Sequence, residues 1–133
     1  MNIVIRPFDR ETDTGLILDS WPKNAFHSAA HPIEASKSEW FARMHLYIQV
    51  ELKRATTLIA CSSEDPNLIA GYMVVDEECL EFIWVKPRYR GAGIAALLLS
   101  RRPIARFNPI SLTKDGKKLI NEYGLKEKND EKA

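Results

Sequence analysis

Apolar positions along this chain change their period several times, and each change marks an element. Ile3 and Ile5 alternate with polar neighbours up to Pro7 and Phe8, which predicts a short opening strand. The polar stretch "DRETDTG" reads as a turn into a first helix. "SWPKNAFHSAAHP" reads as a loop or broken helix, because Pro22 and Pro32 each remove a backbone donor and restrict the residue before them. From Ile33 to Arg54, the residues Trp40, Phe41, Met44, Ile48 and Leu52 recur at helical spacing behind a Ser36/Glu39 capping box, predicting the longest helix. Their stripe is read as the buried face of that helix, with His45 structural. "TTLIAC", the turn "SSEDPN" and "LIAGYMVV" predict an antiparallel hairpin. After a polar turn, "CLEFIWV" alternates, with Leu80, Phe82 and Trp84 on one face and Glu81, Ile83 and Val85 on the other. Gly93 to Arg101 reads as an apolar helix stopped by Pro103, "PISLT" as a short strand, and "KDGKKLINEYG" as a helix closed by Gly124.

Length and charge narrow what such a pattern can do. The chain has 133 residues, enough for one core, so residues 1–125 are taken as a single domain and the charged 126–133 as a frayed tail. With 19 basic and 18 acidic side chains there is no global field to draw in nucleic acid or an anionic membrane, and neither partner is expected. The opening residues lack the pattern of a secretory leader, and no apolar run reaches membrane-spanning length, so a cytoplasmic protein is expected. Cys61 and Cys79 have no second Cys or His at ligand spacing; they read as buried thiols, and no metal is expected.

The chemistry concentrates in "WVKPRYRGAGIAALLLSRRP". Two glycines at a strand-to-helix junction let successive amides point outward without Cβ atoms blocking an approaching anion. The positive end of the helix dipole and the cations Lys86, Arg88 and Arg90 add attraction, which suits a diphosphate. Neither the Gly-Lys-Ser/Thr of a triphosphate loop nor the dinucleotide glycine spacing is present. Arg101, Arg102 and Arg106, further on, are read as complements to the dipole of the same helix.

These residues resemble the GNAT superfamily of acyl-coenzyme A dependent N-acyltransferases. Its pyrophosphate motif, Gln/Arg-x-x-Gly-x-Gly/Ala, is matched by Arg88-Tyr89-Arg90-Gly91-Ala92-Gly93; "IRPF", "LIAGYMVV" and "VKPRYRGAGIAALLL" resemble its first strand, a later Gly-aliphatic strand, and its fourth strand with third helix. The resemblance covers roughly residues 1 to 102. The chain is also weakly similar to compact GNAT-like proteins of tailed bacteriophages.

The resemblance implies an α/β (α+β) fold: a mixed, mostly antiparallel central sheet flanked by helices, with splayed parallel strands 4 and 5 and a shortened final strand pair. It implies that amides from Arg90, Gly91, Ala92 and Gly93, with Ile94 and Ala95, hold the pyrophosphate of acetyl-CoA or coenzyme A. Main-chain groups of Ile83 and Val85 would bond the pantetheine arm. Glu81 would be the general base. The family's acidic tyrosine aligns with Ile120, and the nearest phenol is Tyr123. His27 and His31, with Trp21 and Phe26 as walls, would face the acceptor. The function implied is transfer of an acyl group, acetyl above all, to an amine on a small molecule or protein, by direct attack in a ternary complex. The alternative is a non-catalytic GNAT-like binding or structural module. A homodimer completing the sheet would fit either reading, and a place in a phage particle, in the host cytoplasm or virion, would fit the alternative.

Overall fold

The computed structural model describes residues 1–128. Six strands form one sheet in sequence order: β1 (Ile3–Pro7), β2 (Thr56–Ser62), β3 (Ile69–Asp76), β4 (Cys79–Val85), β5 (Arg106–Phe107) and β6 (Lys126–Glu127). The first three pairings are antiparallel and the last two parallel. Helices α1 (Arg10–His27) and α2 (Lys37–Arg54) cover one face; α3 (Ile94–Leu99) covers the other, and α4 (Lys114–Tyr123) closes the far end. No described helix is long and apolar enough to cross a membrane.

The first face buries Ile17, Trp21, Met44 and Ile48 against Ile59, Tyr72 and Phe82. The second buries Ile94 and Leu98 against Ala60, Met73 and Val75. Both cysteines are buried free thiols. Gly71 lies where β3 meets β4: a Cβ there would run into the main-chain oxygen of Trp84, so only glycine lets the two strands pair this closely.

Four expectations are corrected. The proline-bearing segment, expected as a loop or broken helix, is continuous helix as far as His27, with α1 running through Pro22 and only 28–32 outside it. Trp21 and Ala25 are both buried one turn apart, and the Pro22 carbonyl accepts from the Trp40 indole at 3.0 Å, so tertiary contacts outweigh the lost helical bond. "PISLT" is not a strand. Pro109–Ser111 is a single 3₁₀ turn whose first amide bonds the Asn108 side chain, and only Thr113 makes a bridge, to Ala29. Lys126 and Glu127, expected in the tail, pair with β5 as β6; 129–133 lie outside the described residues. The fourth correction is the alternation of β4.

Val74 pairs with Phe82 but Val75 pairs with Leu80, leaving Glu81 without a partner on β3. This β-bulge flips the pattern. Leu80 joins Ile83 and Val85 on the α3 face, and Glu81 turns to the α2 face with Phe82 and Trp84.

Candidate active site

Strand β5 pairs with β4 only at Cys79 and Leu80. The bond from the Asn108 amide to the Leu80 carbonyl, 2.9 Å, is the last, because the Pro109 turn carries the chain away. On its β5 side β4 therefore continues to Val85 with no strand beside it, while β3 stays paired along the other side, and the gap is a cleft of about 690 Å³. Phe82 and Trp84 of the α1/α2 face line it, and so do Ile83 and Val85 of the α3 face, so the opening passes through the sheet.

One end of the cleft is the "RYRGAG" loop. Gly91 and Gly93 have φ of +85° and +79°, and a Cβ on either would meet nothing within 4 Å. Their need for glycine is conformational: two left-handed residues flanking Ala92 turn the loop amides toward the space in front of α3. Arg90, Gly91, Gly93, Ile94 and Ala95 line the cleft, whereas Arg88 and Ala92 are exposed outside the lining. Arg90 spans the mouth, donating from Nε to the Val85 carbonyl at 2.9 Å and from Nη1 to Asp115 of α4 at 3.0 Å.

Glu81, which is 2% exposed, lies behind the cleft and not in its lining. Its Oε1 accepts from the Tyr47 hydroxyl of α2 and from Asn108 Nδ2 at 3.0 Å, while Oε2 is buried without a partner. Burial pushes the Glu81 carboxyl above its ordinary value, and the charge of Glu51 adds to the rise; the bonds from Tyr47 and Asn108 oppose it. Burial, then Glu81, pushes the Tyr47 hydroxyl up as well, and the Cys79 thiol up to about 12. Glu81, Asn108, Ser111 and Thr113 border a chamber of about 30 Å³, room for one water. Chamber and cleft share Phe82, Ile83, Thr113 and Gly116 as walls.

No family model matches the chain, and no curated protein does. Solved structures do match. A predicted acetyltransferase from Clostridium acetobutylicum, solved with acetyl-CoA, has a TM-score of 0.61 at 15% identity over 97% of this chain and 93% of its own. The ribosomal-protein-alanine N-acetyltransferase of Brucella melitensis biovar Abortus has 0.58 at 15%, over 97% and 94%. A GCN5-related N-acetyltransferase from Rhodopseudomonas palustris has 0.56 at 17%, over 93% and 69%. The fold is the GNAT fold.

Within this GNAT fold the glycine loop and the splay lie where the motif led, but the expected acceptor and acid residues do not gather at the cleft. Trp21 is fully buried, stacked on Phe82 at 5.1 Å and donating to Ser111 Oγ at 2.8 Å; its role is core, not wall. Phe26 packs on Trp40 and Phe41, and His27 and His31 are exposed outside the lining. Because α1 stays helical past Pro22, it presents Asn24 and Ser28 to the cleft instead. Tyr123 is 45% exposed, away from the cleft. The helical period turns Asp115, Lys118, Leu119 and Glu122 inward, and buries Ile120. Tyr47 and Asn108 were missed, since neither lies near Glu81 in sequence. Their one trace is Tyr47 standing four residues before Glu51, a polar pair on the face of α2 that otherwise carries its apolar stripe.

Proposed function

We propose that this chain is an N-acyltransferase that moves an acyl group, acetyl above all, from acyl-coenzyme A to an amine. The observation that carries the reading is the stretch of β4 beyond Leu80 that has lost its β5 partner, which ends at a loop of left-handed glycines and opens a cleft through the sheet. The cleft suits the coenzyme. Bare amides and Arg90 match a pyrophosphate, and the free edge of β4 offers main-chain groups to an amide-bearing arm. The acceptor would enter from the α1 side, past Asn24 and Ser28.

In this reading the amine nitrogen attacks the thioester carbonyl, a main-chain amide near Val85 stabilises the oxyanion, the C–N bond forms and the C–S bond breaks. Glu81 takes the amine proton through the chamber water, and solvent protonates the departing thiolate. Holding the two substrates together supplies a large part of the rate.

One observation favours a second reading, a coenzyme-binding module without turnover: none of the α4 residues facing the cleft is a phenol. Calorimetric titration of acetyl-CoA and coenzyme A into the wild type and a Gly91→Glu variant tests both. Micromolar binding that the variant loses, with thiol release on adding an amine, is expected. Binding without thiol release for any amine supports the module, and no binding to the folded wild type overturns both readings.

A further inference from the structure

The two oxygens of Glu81 have different surroundings. Oε1 carries the bonds from Tyr47 and Asn108, on the way to the cleft. On the other side, one carboxylate oxygen from each of Glu51, Asp76 and Glu81 lies within 4.8 Å of the other two, and the buried Oε2 has no donor at all. Glu51 comes from the last turns of α2, Asp76 from the end of β3, and Glu81 from the bulge; only the fold brings them together. The position a cation would take is partly filled by Arg54, which reaches Glu51 at 3.0 and 3.2 Å and Asp76 at 3.0 Å. The guanidinium thus bonds two of the three carboxylates, and Glu81 lies beside the pair with Oε2 unbonded.

We propose that Glu51 and Asp76, with Arg54 as their counter-ion, are positioning residues that act on Glu81 from the side away from the cleft and make it the proton acceptor of the acyl transfer. This rests on the reading of Glu81 as the base. A surface carboxylate is a poor base for an amine near neutral pH, because it holds its proton only in acid; one buried beside other carboxylates holds it to higher pH. The groups around Glu81 are Tyr47 and Glu51 from α2, Asp76 from β3, Cys79 on its own strand, and Asn108 after β5, with Arg54 of α2 and Glu77 of the turn acting on Asp76, and Arg106 and Lys128 on Cys79. Asp76 is raised by burial first and by the charge of Glu51 next, against the pull of Arg54.

Neighbours of opposite charge at one place predict shifts of opposite sign, which a purely structural role does not. The experiment follows the side-chain carboxyl carbon of Glu81 by NMR across pH in the full chain, the signal being assigned with Glu81→Gln. Glu51→Gln should lower the midpoint by about one pH unit and Asp76→Asn by less, while Arg54→Gln should raise it by about one unit. Arg54 is 58% exposed on its side chain, so its variant keeps the fold even if a buried one does not. The acid limb of the kcat/KM profile should move by the same amounts, with KM for acetyl-CoA unchanged. Shifts of one sign, or none, overturn the proposal. So does a wild-type midpoint that drops with added Mg²⁺ and stops responding in Asp76→Asn, which would make the cluster an ion site. The NMR shifts need no turnover: opposite shifts in a chain that binds no acetyl-CoA would remove the reaction while leaving the coupling intact.

Discussion

The Tyr47 hydroxyl of α2 donates to Glu81 of β4, a contact that exists because the bulge leaves Glu81 unpaired on β3 and turns it to the α2 face. Tyr47→Phe should remove a donor that favours the ionised carboxyl. Glu81 would then hold its proton to still higher pH, and the acid limb of the rate profile would move up. A carboxyl raised by folding contributes stability below its ordinary range and loses that contribution as pH rises through its folded value. The variant's cost, about 1–3 kcal/mol, should therefore be largest in alkali, as read by urea unfolding at a series of pH values.

Gly93 caps α3 at φ +79° with open space where a Cβ would stand. Gly93→Ala should cost about 1–2 kcal/mol through backbone strain. If the loop relaxes to avoid that strain, its amides turn away, and calorimetry should show acetyl-CoA binding weakened about tenfold or more.

The opposite situation holds at Gly71, whose conformation is ordinary but whose Cβ would strike β4. Gly71→Ala should destabilise by about 1–3 kcal/mol and loosen the cleft, since Val85 pairs with it. Gly15→Ala is the control. That exposed position inside α1 has nothing within 4 Å of a new Cβ, and thermal unfolding should show a gain of about 0.5–1 kcal/mol.

Arg6 of β1 grips Asp13 of α1 with two bonds, 2.7 and 2.8 Å, and the Asp9 amide adds a third at 2.7 Å. Burial pushes the Asp13 carboxyl up, but these bonds outweigh it and hold the group below its ordinary value. A lowered carboxyl contributes stability above its unfolded pKa and loses it as pH falls through the folded one. Asp13→Asn should cost about 3 kcal/mol at neutral pH, and the difference should shrink in acid, as equilibrium unfolding would record.

Much of this was legible in the chain. Strong local periodicity marked β2, β3 and α2. The glycines at Gly91 and Gly93 announced a loop with exposed amides, because the requirement for positive φ is local and leaves a mark at the residue that meets it. The proline at Pro22 was misread for the complementary reason. Its penalty is local, but the burial of Trp21 and Ala25 that overrides it depends on strands far away in sequence.

By itself, then, the sequence determined the order of the main elements, the antiparallel meander and the glycine loop before α3, all of which rest on neighbours within a few residues, while the splay followed from the resemblance to the GNAT superfamily. Only the tertiary structure decided which way Glu81 faces. Two-residue alternation assigned it to the face away from Phe82 and Trp84, and one unpaired residue in the β3–β4 ladder reversed that. The same bulge gathers Tyr47, Glu51, Asp76 and Asn108 around one carboxylate. Their proximity is a property of packed strands and helices, and no spacing along the chain encodes it.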